Sequence, residues 1–223
     1  MKEYTLVLAV FATTSMLITQ FVTAADFNID FGDDFPGLPS TYSAASGQAG
    51  AWNNVSADGT LQDTTGAATS VSVTLIVGNP SGQIGAASTN NELLLGDYFF
   101  FSSGWNVDFA NLVDGLYNVY YYAPSSTAVS TGVFAINGTT VAELPGDSSS
   151  ALIQGTSYDV FSGVNVVGGT LSLASTGGVL ETNFGVAGLQ LILIPEPASL
   201  VLYTVGIVAW LGIRRRKIER LSC

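Results

Sequence analysis

An acidic segment near the start of the chain holds the residues best suited to bind a metal ion. Asp30, Asp33 and Asp34 surround Gly32, and Asp26 precedes them. Hard carboxylate oxygens grouped near a glycine suit Ca²⁺, although the spacing is not that of a calcium-binding helix-loop-helix. A solvated acidic loop is the competing interpretation. We predict no cofactor, and we select Asp30, Asp33 and Asp34 as the candidate ligands if a structural calcium ion is bound.

Aromatic side chains are the second group that could bind a ligand, because flat rings stack on sugars. Trp52 lies between turn-rich segments, and Tyr121 lies in the run Tyr120-Tyr121-Tyr122. Alternation along a strand places Tyr121 on the opposite face from its two neighbours. At least one of those faces belongs to the core, and core packing is the competing role for each ring. We select Trp52 and Tyr121 as candidate carbohydrate-binding residues.

Catalysis has few possible devices in this chain. A pair of carboxylates can hydrolyse a glycosidic bond without histidine, but no motif selects such a pair. The chain has no His, and its six Lys and Arg residues all lie near its ends: Lys2, Arg214, Arg215, Arg216, Lys217 and Arg220. The interval between them therefore lacks the side chains of His-dependent triads, Schiff-base enzymes and histidine-ligated zinc sites. We predict that the protein is not an enzyme.

The same distribution gives the central interval a single sign of charge. Glu3, Glu196 and Glu219 lie outside residues 25–194, so fourteen of the seventeen acidic residues remain there without a cation, and the formal charge is −14. Nucleic-acid binding depends on cations that neutralise phosphates, so we predict no nucleic-acid partner. The one cysteine, Cys223, also lies outside the interval, which must therefore bury its core without a disulfide.

The central interval has the alternating pattern of β-strands. Phe27, Ile29 and Phe31 alternate with polar residues, and Asn137-Gly138 is typical of a two-residue hairpin turn. Further strands are predicted at residues 71–77, 105–109, 116–122, 132–136, 140–144, 158–166, 170–173 and 186–193. Asn90 to Asp97 is the one internal stretch with a helical pattern. We predict an all-β domain over residues 26–193, an antiparallel β-sandwich or jelly roll of about eight or nine strands.

Both ends of the chain carry targeting patterns. Lys2 precedes a largely apolar run that ends near Val22-Thr23-Ala24, so residues 1–25 are predicted to be a signal peptide, with an uncleaved anchor as the alternative. At the other end, residues 198–213 are apolar and uncharged, and the basic cluster follows in residues 214–220, with Arg214, Arg215, Arg216 and Lys217. A transmembrane helix needs about 20 residues, so this span is slightly short. A buried core helix is the alternative. Basic residues next to a span stay in the cytoplasm, which places the central domain outside it.

Pro195-Glu196-Pro197 stands directly before the apolar run. This order of short motif, apolar span and basic cluster resembles the PEP-CTERM sorting tail of exported bacterial proteins, also labelled the ice-binding protein C-terminal motif. The resemblance covers residues 194–223. It implies transient anchoring in the inner membrane and processing near the motif by an exosortase-type transpeptidase. It also implies a host that produces exopolysaccharide and forms biofilm.

A second resemblance concerns the domain itself. Gly115-Leu116-Tyr117-Asn118-Val119, Ile136-Asn137-Gly138, Gly169-Thr170-Leu171-Ser172-Leu173 and Ala187-Gly188-Leu189-Gln190-Leu191 follow one another in the chain. Their order is similar to that of strands in galactose-binding and malectin-like jelly rolls. The resemblance implies the fold more than the ligand, because members that bind sugars often use loop cations that this domain lacks.

These observations together predict an exported protein of the cell surface or extracellular matrix. Its expected role is noncatalytic, with binding of carbohydrate, including exopolysaccharide. A self-associating structural or adhesive biofilm protein is the alternative. A glycoside hydrolase that uses carboxylates alone is the third possibility.

Overall fold

The fold is a β-sandwich. The computed structural model describes residues 25–32, 37–77, 82–83, 87–101, 105–123, 133–142, 144, 151–175 and 184–195. The strands in these residues are β1 (Phe27–Phe31), β2 (Trp52–Val55), β3 (Gly59–Gln62), β4 (Ala68–Val77), β5 (Gly82–Gln83), β6 (Asp97–Phe101), β7 (Trp105–Ala110), β8 (Gly115–Tyr122), β9 (Val133–Ile136), β10 (Thr139–Ala142), β11 (Tyr158–Val166), β12 (Leu171–Ser175), β13 (Phe184–Val186) and β14 (Gly188–Leu193). One α-helix, α1 (Asn90–Gly96), and a 3₁₀ turn, Ala44–Ser46, complete the regular structure of this part of the chain. The two predicted terminal helices lie outside the described residues.

Two large sheets form the sandwich. The first sheet has the order β11-β8-β14-β1-β2, and the second has the order β10-β9-β12-β7-β4-β3. A small third sheet has the order β13-β6-β5. The fourteen described strands outnumber the eight or nine expected, in part because β2 and β3 each bury only one apolar side chain, Val55 and Leu61. Such short, polar strands carry little of the pattern that identifies a strand in a sequence.

One pair of strands departs from the predicted antiparallel arrangement. β1 runs parallel to β2, from Asn28 beside Trp52 to Phe31 beside Val55. Parallel neighbours need a long crossover connection. The described part of that connection is residues 37–51, here called the crossover segment.

The main core lies between the two sheets. Alternate residues of β1, β8 and β14 point into it from the first sheet, and alternate residues of β4, β7 and β12 meet them from the second. The inward residues of β8 are Tyr117, Val119 and Tyr121, all buried. Apolar residues at a period of two therefore fill one side of each strand, as the sequence predicted.

A second apolar cluster covers the outer face of the first sheet. It contains Leu38 of the crossover segment, Leu94 and Leu95 of α1, Tyr122 of β8, and Ala187 between β13 and β14. Because this layer covers the sheet, all five residues of β1 are buried, including the polar residues of its outer face.

Helix α1 is placed by its cap and by a glycine. Thr89 and Glu92 form a capping box: the Glu92 amide donates to the Thr89 hydroxyl at 3.2 Å, and the Glu92 carboxylate accepts from the Thr89 amide at 2.9 Å. Leu94 then packs against Gly188, where an added Cβ would lie 2.6 Å from the Leu94 side chain and 2.8 Å from the Ile29 carbonyl oxygen. The sequence therefore predicted this helix correctly.

The Asn137-Gly138 hairpin turn is also confirmed. Both residues have a positive φ, 47° and 78°, and they join the antiparallel strands β9 and β10. Asn tolerates this left-handed backbone better than most residues, and Gly adopts it freely.

Candidate functional site

An open groove lies where the edges of the two sheets meet. β2 forms one edge of the first sheet, β3 forms one edge of the second, and the groove of about 410 Å³ is lined by residues of both strands and their connection. Its lining residues with aromatic or polar side chains are Trp52, Asn53, Asn54, Ser56, Asp58, Thr60 and Gln62. The groove therefore combines one aromatic ring with carboxamides, hydroxyls and a carboxylate.

Trp52 is half-buried, and its ring has a fixed orientation. The indole stacks on Tyr42 of the crossover segment with ring centroids 5.6 Å apart and an interplanar angle of 29°. The indole N–H donates to the Tyr42 carbonyl oxygen at 2.9 Å. Stacking and a hydrogen bond together hold the ring while it contributes to the wall of the groove. The structure thus places Trp52 beside a polar groove, and its sugar-binding role stays a prediction.

Asn53 joins the two sheets at the base of this edge. Its carboxamide nitrogen donates to the Asn28 carbonyl at 3.0 Å and to the Gln62 carbonyl at 2.8 Å, and its oxygen accepts from the Gln62 amide at 2.7 Å. The Asn53 side chain thus makes two hydrogen bonds to the backbone of Gln62, as a neighbouring strand would, and so connects β2 of the first sheet to β3 of the second. These bonds use the carboxamide of Asn53, so Asn53 positions the groove.

Other polar side chains of the groove are exposed. Within the described part of the chain, the side chains of Asn54, Ser56, Thr60 and Gln62 make no hydrogen bond to protein, so they are available to a ligand. Trp52 and Asn54 are two residues apart on β2 and therefore share one face of the strand.

Asp58 is the one acid among the residues that line this groove. Its Oδ1 accepts a hydrogen bond from the Leu75 amide at 2.7 Å. Hydrolysis by carboxylates needs a second acid across the scissile bond, and the described lining supplies none. The noncatalytic role remains a prediction.

Backbone amides serve the carboxylates of this domain in place of cations. Asp63 accepts from the Thr65 and Ala67 amides at 2.9 and 3.0 Å, and Asp114 accepts from the Gly169 amide at 2.7 Å. The Thr65 hydroxyl, with smaller help from the backbone amides, lowers the pKa of Asp63. Asp26 accepts from an amide of the last strand, yet burial outweighs that bond and raises its pKa.

The expected calcium ligands fall partly outside the described residues. Asp33 and Asp34 lie there, whereas Asp30 lies on the outer face of β1 under the crossover segment and is 4% exposed. Burial, and secondarily the nearby Asp30 carboxylate, raise the pKa of the Tyr42 hydroxyl. No group of three potential metal ligands occurs among the described residues. The calcium site stays a prediction.

Gln190 is the centre of a buried polar network beside Asp30. Its carboxamide nitrogen donates to the Asn28 side-chain oxygen at 2.8 Å and to the Ser43 and Gln48 carbonyls at 3.3 Å each. The Tyr122 hydroxyl donates to the Gln190 oxygen and accepts from the Ala45 amide. The network therefore fastens the crossover segment to the sheet.

Tyr121 corrects one prediction. Its side chain is fully buried in the main core, where a sugar in solvent does not reach it. Tyr121 does face away from Tyr120 and Tyr122, as strand alternation predicted, but the face that it occupies is the main core. Tyr121 is therefore a core residue and does not line a carbohydrate site.

The predicted sorting residues lie almost wholly outside the described part. Glu196, Pro197 and the basic residues Arg214, Arg215, Arg216 and Lys217 lie there, while Pro195 is exposed just after β14. Among the residues that the structure describes, none forms a helix with the length and apolar character to cross a membrane. The sorting tail stays a prediction.

Sequence reasoning missed Asn53, Tyr42 and Gln190. Gln190 had a detectable signal, because a single amide between Leu189 and Leu191 in a central strand must find buried partners. Asn53 and Tyr42 had none, since their partners lie on segments that only the folded chain brings together.

The chain shows only distant similarity in fold to two proteins of known structure. No family model and no curated protein matches the chain. The solved structure of the YxiM protein of Bacillus subtilis is 17% identical, with a TM-score of 0.42, and the match covers 76% of this chain and 40% of that one. A calcium-binding mutant of beta-glucuronidase 2 from Bacteroides uniformis is 15% identical, with a TM-score of 0.47, over 79% of this chain and 19% of that one. The chain thus spans less than half of either protein, and likenesses this weak carry no inference about function.

Proposed function

We propose that the chain is an exported, noncatalytic protein of the bacterial surface or extracellular matrix that binds carbohydrate, including exopolysaccharide, in the groove between β2 and β3. The observation that carries the proposal is the aromatic wall of Trp52 beside exposed carboxamides and hydroxyls.

The chemistry of the groove matches that of a sugar. A pyranose ring has an apolar face, which stacks on indole, and a rim of hydroxyls that both donate and accept hydrogen bonds. Asn54 and Gln62 each supply a donor and an acceptor, and Ser56 and Thr60 supply hydroxyls. The polar side chains of such a groove can hydrogen-bond to the hydroxyls of the sugar while the Trp52 indole stacks on the apolar face of its ring.

The groove is also held in place before any ligand binds. The Trp52 indole is fixed by Tyr42, and the spacing between β2 and β3 is fixed by the Asn53 carboxamide. A site that is already ordered loses less conformational entropy on binding. This order before binding favours a role in ligand recognition over a surface that has no ligand.

Delivery to the surface rests on the two ends of the chain. The signal-peptide pattern starts export, and the PEP-CTERM-like tail anchors the protein in the inner membrane until an exosortase-type transpeptidase acts near Pro195-Glu196-Pro197. A calcium ion at Asp30, Asp33 and Asp34 would have a structural role near the crossover segment that carries Tyr42.

Binding of the full-length chain in mild detergent tests the proposal. It is titrated with the exopolysaccharide of its host and on a glycan array, with calcium and with a chelator. Saturable binding that Trp52→Ala abolishes is the expected result. Tyr158→Ala is the matched control, because Tyr158 also packs half-buried against the second cluster but lies on β11, at the opposite edge of the sheet.

Three results would decide against carbohydrate binding in this groove. Equal losses in both variants would mean that truncation damages the fold and that Trp52 has no special part. Absence of binding in every condition would remove the carbohydrate proposal. Binding that disappears only with chelator would move the site to Asp30, Asp33 and Asp34.

Self-association is the second candidate function, and the edge strand β11 is the observation in its favour. β11 is nine residues long and is an edge strand of the first sheet among the strands that the structure describes. A register shift between Phe161 and Val164 interrupts it, and such bulges limit pairing between edges. Sedimentation of the chain with and without calcium tests this candidate, and concentration-dependent assembly through β11 would support it.

A further inference from the structure

We infer that the groove between β2 and β3 selects neutral glycans over uronic-acid polymers. This inference rests on the proposed carbohydrate-binding function and specifies its ligand class. It follows from the electrostatics of the groove and from the hydrogen-bonding groups that line it.

The charge of the groove disfavours an acidic glycan. Asp58 contributes a carboxylate to the lining, and Asp63 follows directly after β3. Residues 25–194 contain no Lys, Arg or His that could offset these charges. A uronate carboxylate that enters the groove therefore meets like charge and no cation, which is unfavourable at contact distances even in a high dielectric.

The hydrogen-bonding groups lead to the same ligand class. A uronate carboxylate is acceptor-only and needs strong donors. Asp58 is also acceptor-only, whereas the exposed carboxamides and hydroxyls offer at least as many acceptor sites as donors. A neutral sugar uses both kinds of group, so it can satisfy the groove more fully than its oxidised counterpart.

Matched pairs of oligosaccharides test the inference. The full-length chain is titrated with β-1,4-linked mannose hexamer and with β-1,4-linked mannuronate hexamer, which share linkage and ring but differ in the oxidation of C6. A glucose and glucuronate pair repeats the comparison, and all titrations contain chelator at low ionic strength. We expect binding about tenfold tighter to the neutral member of at least one pair, with the gap narrowing as salt screens the charges.

Charge variants locate the effect. Asp58→Asn removes one charge from the groove and should strengthen uronate binding several-fold, at least about threefold. Asp159→Asn removes one charge from β11, which is at the opposite edge of the first sheet from β2, and should change uronate binding much less. In both variants the asparagine oxygen can still accept the backbone hydrogen bond of the native carboxylate.

The tail cations need their own control. Arg214, Arg215 and Arg216 are three of the six cations of the chain, all of which lie outside residues 25–194, and they could attract a polyanion nonspecifically. A variant with all three changed to glutamine is therefore titrated beside the native chain, and any uronate binding that it loses is assigned to the tail.

The outcomes separate the inference from the function beneath it. Uronate binding in the tail variant as tight as neutral binding would overturn the inference and leave the carbohydrate function standing. Equal effects of Asp58→Asn and Asp159→Asn would also overturn it, because the selectivity would then come from total charge. Failure of every neutral and acidic glycan to bind would overturn the carbohydrate function itself.

Discussion

Replacement of Gln190 by leucine tests how the crossover segment is held to the first sheet. Gln190 is fully buried, and its carboxamide joins Asn28 on the neighbouring strand, Tyr122 on the other neighbouring strand, and two carbonyls of the crossover segment. Leucine has a similar volume but no hydrogen-bonding group. The substitution therefore removes partners from several buried groups without leaving a large cavity.

The expected loss can be worked from the two shorter bonds. The Asn28 side-chain oxygen and the Tyr122 hydroxyl each lose a buried partner, at a cost of about 1–3 kcal/mol per group. Burial of a more apolar side chain returns about 1 kcal/mol. The free energy of unfolding should fall by about 1–5 kcal/mol, which corresponds to a decrease in Tm of about 2–20 °C for a domain of this size.

Urea unfolding and hydrogen exchange measure this loss and its location. Gln62→Leu is the matched control, because Gln62 is exposed and its hydrogen bonds to Asn53 use its backbone. In Gln190→Leu, the amides of residues 43–48 should exchange faster than in the native chain because the crossover segment is locally released. The amides of β4 and β7 should exchange faster only by the amount that the lower global stability explains. A change in stability no larger than that of Gln62→Leu would refute the reasoning, as would unchanged exchange in the crossover segment.

Three further predictions concern the sheet edge, acid stability and sorting. Asn53→Leu should lower the free energy of unfolding by about 1–2 kcal/mol in urea titrations, because it removes two hydrogen bonds between the sheets and one within the first sheet. Asn54→Leu should change it by no more than about 0.5 kcal/mol, and equal effects would contradict the bridging role. Asp63→Asn should have a lower free energy of unfolding than the native chain at about pH 7, because the native fold lowers the pKa of Asp63. This difference in stability should begin to shrink near pH 3.8, the ordinary pKa of an aspartate, and should vanish below the lowered pKa of the folded protein. A difference that persists at about pH 2 would contradict this prediction. Alanine at all three positions of Pro195-Glu196-Pro197 should leave unprocessed protein in the inner-membrane fraction of its native host, as immunoblots after fractionation would detect; normal release would contradict the sorting proposal.

The sequence predicted the elements with strong apolar alternation and the turn with a specific backbone requirement. β1, β8 and β11 carry that alternation, and Asn137-Gly138 needs a positive φ that few residues tolerate. The parallel pairing of β1 with β2 could not be predicted, because WNNV has no apolar period and its position depends on the crossover segment. Local patterns identify strands, but they do not identify which strands are neighbours.

The candidate site was predictable only in part. The composition and position of Trp52 were enough to select it, since a tryptophan among turn residues often lies near the surface. Tyr121 was selected on equal grounds, but strand alternation alone does not say which face is the core. The groove itself depends on the meeting of β2 and β3 from different sheets, and no property of either segment encodes that meeting.

The central position of β14 has a consequence for how the protein matures. β14 lies between β8 and β1, and Leu193 donates its amide to Asp26, 167 residues earlier. The first sheet therefore lacks one of its inner strands until nearly the whole domain has been synthesised. A chain that crosses a membrane from its N-terminus cannot complete this sheet before then. Contacts between such distant residues form slowly. The pairing of the first and last strands also brings residues 26 and 193 together. The two ends of the folded domain are therefore adjacent, so a chain tethered at both ends could complete its fold while still attached.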